Sequence, residues 1–321
     1  MPATARRAAP AATRRRTPLE PVPVRPLGAT GELVSALALG GYHLGTVGTE
    51  REAIRIIHEA IDAGVTFMDN AWEYHDGRSE ERMGKALADR RGRAFLMTKV
   101  CTHGRDAKVA MRQLEQSLRR LKTDHLDLWQ VHECVYYNDP ERHFAPGGVI
   151  EALDRAKREG KVRFVGFTGH KDPAIHLRML AYEFPFDTCQ LPLNCFDASF
   201  RSFERQVLPE LARRGIAALG MKSLGGKGEM VKHKAVTAAE ALNYAMSLPV
   251  ATTISGVDSL RVLRANLRVA RGFRPLAAAA LEALRRRCAP LSADGRFELY
   301  KTTAMHEGPV GRKQHRFPEE G

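Results

Sequence analysis

The stretch AGVTFMDNAWEYHDGRSEERMGKAL, residues 63–87, reads as one strand-to-helix unit. Gly64 suits the end of a preceding helix and VTFM (65–68) is a short apolar run. Ser79, followed by Glu80 and Glu81, reads as a helix cap with acidic residues in the first turn. Between the run and the helix stand Asp69 and Tyr74, at the strand end from which alternating α/β folds act on small molecules. The decisive question is whether the unit repeats.

It does, at intervals of roughly 30 residues. The apolar runs are SALAL (35–39), VTFM (65–68), AFLMT (94–98), LDLWQV (126–131), VRFVGF (162–167), TCQL (188–191), IAAL (216–219) and VATTI (250–254). Between them the apolar spacing changes to three and four, as in Ile54, Ile57 and Ile61, then Met111, Leu114, Leu118 and Leu121. Such spacing gives each helix one face with which to cover a sheet. Gly64, Gly160 and Gly215 each stand between a periodic segment and the next run, where a residue at positive φ can end a helix. The fold class expected is α/β: a (β/α)8 TIM barrel over residues 22–274, with an N-terminal β-hairpin in VPVRPLGATGELVSALALGG (22–41) and a C-terminal extension, 275–321, of one helix and a tail packing on the barrel. An open doubly wound sheet ranks second, because no G-x-G-x-x-G follows the first run. LGGKG (224–228) lacks the G-K-[ST] ending of a phosphate-binding loop and reads as a flexible connection.

Composition narrows the function classes. The net charge of +13 suggests a nucleic-acid binder, but the first 25 residues hold six arginines against Glu20 alone. The remaining excess is scattered over helix faces such as RRLK (119–122) and RRR (285–287), so no nucleic-acid partner is expected. Residues 1–21 read as a disordered basic tail without the apolar core of a secretion signal. No run reaches the length of a membrane span, so no membrane partner is expected. Five cysteines, an odd number with no C-x-x-C pair, fit a reduced, cytoplasmic protein, and no metal ligand set is read from them.

Four residues fall at or just past the ends of successive runs: Asp69, Tyr74, Lys99 and His132. Alone, each has an ordinary structural role open to it; together they supply a phenol, an ammonium, a carboxylate and an imidazole. A free phenol, with a pKa of about 10, is a poor proton donor, and a nearby cation favours its ionised form. The carboxylate would hold the ammonium in place. Reduction of a carbonyl by hydride builds negative charge on oxygen, which a proton donor and a positioned hydrogen bond must meet. Tyr74 would donate the proton, Lys99 would tune it, Asp69 would anchor Lys99, and His132 would orient the carbonyl. No side chain delivers hydride, so this reaction implies a nicotinamide cofactor.

At these residues the chain resembles the aldo-keto reductase family, from about Val24 to Arg274. The matching segments are RPLGATGELVSALALGG (25–41), residues 63–87 above, LMTKV (96–100), LDLWQVH (126–132), VRFVGFTG (162–169), CQLPLN (189–194) and ISGVDSLRVLRANL (254–267). The resemblance implies an NAD(P)H-dependent reductase of a small-molecule carbonyl. It places Gly41, Tyr42, Thr168 and Gln190 near the nicotinamide end of the cofactor. Met221 stands where relatives often carry a stacking aromatic, Lys222 is its neighbour, and Gly169 stands where many have asparagine. Gly256, Asp258, Arg264 and Asn266 fall in the segment that meets the adenosine end. There Asp258 would repel a 2'-phosphate, while Arg261 and Arg264 could attract it. NADP(H) is favoured on family habit, with NAD(H) close behind. A second functional reading keeps the barrel and cofactor but makes the protein a regulatory subunit with little turnover. The mouth is expected to draw on Tyr136, Tyr137, Arg142, His143 and Phe144, and the C-terminal segment either covers that mouth or packs outside.

Overall fold

The computed structural model describes residues 20–101 and 106–308. Residues 1–19 of the expected basic tail and 309–321 of the C-terminal tail lie outside the described residues. The chain opens with a hairpin of β1 (Val24–Pro26) and β2 (Leu33–Ser35), antiparallel with Arg25 opposite Val34. Eight parallel strands follow: β3 (Leu37–Gly40), β4 (Phe67–Asp69), β5 (Phe95–Cys101), β6 (Leu126–His132), β7 (Val162–Thr168), β8 (Thr188–Pro192), β9 (Ala217–Met221) and β10 (Thr252–Gly256). They pair in chain order and close where β10 meets β3, Gly256 opposite Gly40. The architecture is the (β/α)8 barrel with its N-terminal hairpin.

Strand period explains where the reactive groups lie. On β5, Phe95 and Met97 join an inner apolar cluster while Leu96 and Val100 join the layer under the helices. Two residues beyond Met97 on the same inward column is Lys99. On β4 the inward column runs from Phe67 to Asp69, and on β6 from Leu128 through Gln130 to His132. The inner core is therefore apolar low in the barrel, with Leu27 and Val34 of the hairpin region packed into it. It turns polar at the C-terminal rim, and one bond crosses between the two zones, from Gln130 Nε2 to Thr188 Oγ1 at 2.7 Å.

Helices Glu50–Asp62 and Ala107–Leu121 carry the apolar faces read from their spacing, and Gly64, Gly160 and Gly215 all have positive φ. Two details differ from the sequence reading. The run SALAL splits, because Ser35 ends the hairpin and the barrel strand begins at Leu37. Ser79 is not a cap: the helix Arg78–Leu87 starts earlier, from Gly77 at φ 89°, and Ser79 Oγ instead donates to Gly41 O at 2.6 Å. After the barrel, a helix spans Ala278–Ser292 and a short one Leu299–Thr302. Among the described residues no helix is long and apolar enough to cross a membrane.

Candidate active site

Lys99 sits at the top of the barrel axis with its side chain fully buried. Its ammonium donates to Asp69 Oδ1 at 2.5 Å, to Asn70 O at 2.7 Å and to Tyr74 Oη at 3.4 Å. Three acceptors match the three protons of a lysine, the condition under which a buried ammonium is tolerable. The loop after β4 brings Tyr74 to this point. Trp72 N donates to Lys99 O, and Arg120 Nη1 donates both to Trp72 O and to buried Glu80. His75 and Asp76 then take φ of 54° and 56° before Gly77, turning the chain back into its helix. A Cβ on Gly77 would lie 2.3 Å from Arg120 Cζ, so this brace needs glycine.

The sequence reading expected Lys99 to lower the Tyr74 pKa. The structure reverses the direction: burial raises it, and Asp69, Glu73 and Glu133 add to the rise, holding the phenol well above its usual value. Tyr74 is accordingly a neutral phenol with its proton in place. His132 meets it edge-on, ring centroids 5.8 Å apart, and Tyr42 meets it edge-on from the other direction at 5.3 Å. All four residues read from the strand ends thus converge.

Sequence reasoning missed two carboxylates. Glu73, next to Tyr74, contacts His132 Nδ1, and Glu133 Oε1 lies 3.9 Å from His132 Nε2. Glu133 is the first residue past β6 and takes φ of 56°, a left-handed turn that bends it back toward the imidazole. Donor atoms of Glu73, His132 and Glu133 fall within 4.8 Å of one another, a spacing compatible with a metal ion. Direct contact of Glu73 with the imidazole is equally the geometry of an ion pair, and that is the interaction present.

The residues assigned to a nicotinamide cofactor line the same rim. Thr168 and Gln190 end adjacent strands and pair in register. Gln190 Nε2 points at Met221 Sδ, 3.7 Å away, while its buried Oε1 has no hydrogen-bond partner among the described residues. An orphaned amide oxygen there fits the N–H2 of a carboxamide. Gly41 starts the helix after β3, and Tyr42 is 51% exposed beside it. Gly169 has no room for the asparagine of many relatives, since a Cβ would stand 2.3 Å from Cys134 O.

At the adenosine end the picture is less direct. Gly256 closes β10, exposed Asp258 accepts from Ser259 Oγ, and Asn266 Nδ2 donates to Ser255 Oγ at 2.9 Å. Arg264, expected to greet a phosphate, is instead clasped by Glu59 through two bonds of 2.6 and 2.9 Å. Lys222, at φ 54° just past β9, lies 5.5 Å over the Tyr300 ring. Burial lowers its pKa to about 8, with Glu133 opposing and Lys99 assisting the drop.

Of the residues expected at the mouth, His143 is fully buried and Phe144 stacks on Tyr182 at 4.0 Å in an outer aromatic cluster. Tyr136 and Tyr137 do reach the strand ends, on Glu307 and Asp172. The C-terminal segment 298–308 crosses over the ends of β6, β7 and β8. Lys171 Nζ holds Glu307 at 2.5 Å, His170 bonds the carbonyls of Tyr300 and His306, and Gly308 N donates to Glu133 at 2.6 Å. Buried Lys301 secures the segment through Asp197 and Glu298.

The family model "Aldo/keto reductase family" matches residues 36–235. Over 154 residues the chain is 32% identical to an uncharacterized oxidoreductase, YqkF, of Bacillus subtilis, covering 45% of this chain and 48% of that protein. It is 32% identical over 230 residues to 6-dehydroglucose reductase of Novosphingobium aromaticivorans, covering 65% and 71%. The alignments thus span from about half to about seven-tenths of these relatives. A solved aldo/keto reductase of Klebsiella pneumoniae, in complex with NADP and acetate, superposes with a TM-score of 0.66 at 24% identity, over 85% of this chain and 96% of that one.

Proposed function

Since the chain belongs to the aldo/keto reductase family, we propose that it reduces a small polar aldehyde or ketone to the alcohol with a reduced nicotinamide, NADP(H) preferred over NAD(H). The observation that carries the reading is the buried chain from Asp69 through Lys99 to the Tyr74 hydroxyl.

When bound, the reduced nicotinamide supplies the hydride. Gly41, Tyr42, Thr168, Gln190 and Met221 would hold its reactive end, and Gly256, Asp258, Arg264 and Asn266 would meet its adenosine end. As negative charge grows on the carbonyl oxygen, Tyr74 gives it the phenolic proton and His132 offers a hydrogen bond. The phenolate left behind is costly in this buried, carboxylate-rich setting, and Lys99 at 3.4 Å is the cation that stabilises it. Lysine tuning therefore acts on the product of proton transfer more than on the resting phenol. The polar groups around the rim, Glu133, His170 and Lys222, support a hydroxylated or otherwise polar substrate over an alkyl one.

The reading is tested by mixing the protein with NADPH or NADH and a panel of carbonyl compounds while following absorbance of the reduced cofactor. Oxidation of the cofactor that depends on an aldehyde or ketone is expected. Tight cofactor binding with no turnover on any of them would replace this reading with that of a regulatory subunit.

A further inference from the structure

His132 has a carboxylate on each ring nitrogen. Glu73 contacts Nδ1 directly, and Glu133 stands 3.9 Å from Nε2. Glu73 remains ionised: burial pushes its carboxyl up, but the imidazole pulls harder, and the balance lies below the usual carboxylate range. A carboxylate only accepts, so the proton between it and Nδ1 belongs to the imidazole. A neutral imidazole has one ring proton. If Nδ1 holds it, Nε2 is bare and would face a carbonyl oxygen lone pair to lone pair. Polarising a carbonyl from Nε2 requires the second proton.

We propose that Glu73 is a positioning residue that fixes His132 as an imidazolium, so that the carbonyl oxygen meets a charged donor at Nε2 beside the Tyr74 hydroxyl. This inference rests on the carbonyl-reductase reading and deepens it. Glu133 acts in the same sense from the opposite nitrogen, while its other oxygen takes the Gly308 N–H. Several other groups face the imidazole or the carboxylates that flank it. Tyr74 comes from the loop after β4 and Cys101 from β5, paired in register with His132. His170, after β7, lies 3.9 Å from Glu133, and Lys222 and His306 lie close enough to feel the Glu133 charge. Lys99 opposes a further positive charge but is already matched by Asp69. The net field of Glu73 and Glu133 favours the imidazolium. Because the charged form is the active one, its contribution is present at low pH and lost as pH rises through His132 deprotonation.

The test has two arms. Ring-nitrogen NMR of the cofactor-free protein, with His132→Asn to assign the signal, reads protonation without any turnover. Both nitrogens of His132 are expected to be protonated at neutral pH, and Glu73→Gln is expected to move the midpoint down by about one pH unit or more, the scale of one close charge pair. In the second arm, Glu73→Gln should lower kcat about a hundredfold at neutral pH and shift the alkaline limb to lower pH, with cofactor affinity unchanged. Glu73→Asp should recover part of the loss, and its melting curve checks that folding is intact. A singly protonated His132 in the wild type, or a midpoint that Glu73→Gln leaves in place, overturns the proposal. A protein that reduces no carbonyl yet shows the imidazolium would overturn the reductase reading and leave the Glu73 pairing standing.

Discussion

Lys99 and Asp69 form an ion pair 2.5 Å long with both side chains shielded from water. Removing one partner strands the other charge in the barrel. Lys99→Met is therefore expected to lower unfolding free energy by about 3–5 kcal/mol in urea denaturation, and adding Asp69→Asn to that variant should restore part of the loss. Additive damage in the double variant would show that the two charges do not depend on each other.

Tyr74→Phe keeps the ring that His132 and Tyr42 meet edge-on and deletes only the hydroxyl. Turnover is expected to fall about two to four decades while cofactor affinity stays near wild type. Normal turnover would remove Tyr74 as the proton donor.

The clasp of Glu59 on Arg264 governs what the adenosine end can bind. Glu59→Gln releases the guanidinium and should tighten NADPH relative to NADH, as read by isothermal titration. An unchanged ratio of the two affinities would mean that Arg264 does not reach the 2'-phosphate.

Glu307 ties the C-terminal segment to Tyr136 and Lys171. Glu307→Ala should speed proteolytic cleavage after residue 297 and raise KM for the carbonyl more than for the cofactor. Equal effects on both constants would place the segment outside the substrate path.

His176 lies between the rings of Phe167 and Phe203, where burial pushes its pKa from 6.5 down to about 3. The unfolded chain takes up this proton below pH 6.5 and the native one does not, so stability should decline as pH falls from 6.5 toward 3. His176→Leu should flatten that slope in acid-induced unfolding; an unaltered slope would trace acid sensitivity to other groups.

The inward column of each strand made Asp69, Lys99 and His132 readable, because a period of two carries the apolar interior directly into the polar rim. Tyr74 followed from its place beyond Asp69. Its neighbour Glu73 carried no such signal. Adjacent loop residues point apart, and their aim is set by the left-handed pair His75 and Asp76, conformations with no reliable sequence mark. The phenol's shift was misjudged for a related reason: a list of residues names the cation but not the burial around it, and burial dominates. Arg264 was placed by its strand-end position, yet its partner Glu59 lies 205 residues away in sequence. Phe144 went to an outer aromatic cluster whose other members, Tyr182, Phe184 and Phe186, come from a different helix end.

Leu27 and Val34, packed into the apolar floor beneath the strands, make the barrel a well instead of a tunnel. Reactant and product then share a single doorway, and residues 298–308 already occupy part of its frame. An alcohol formed at Tyr74 has to back out the way its parent aldehyde came in, so departure of one molecule and arrival of the next cannot overlap.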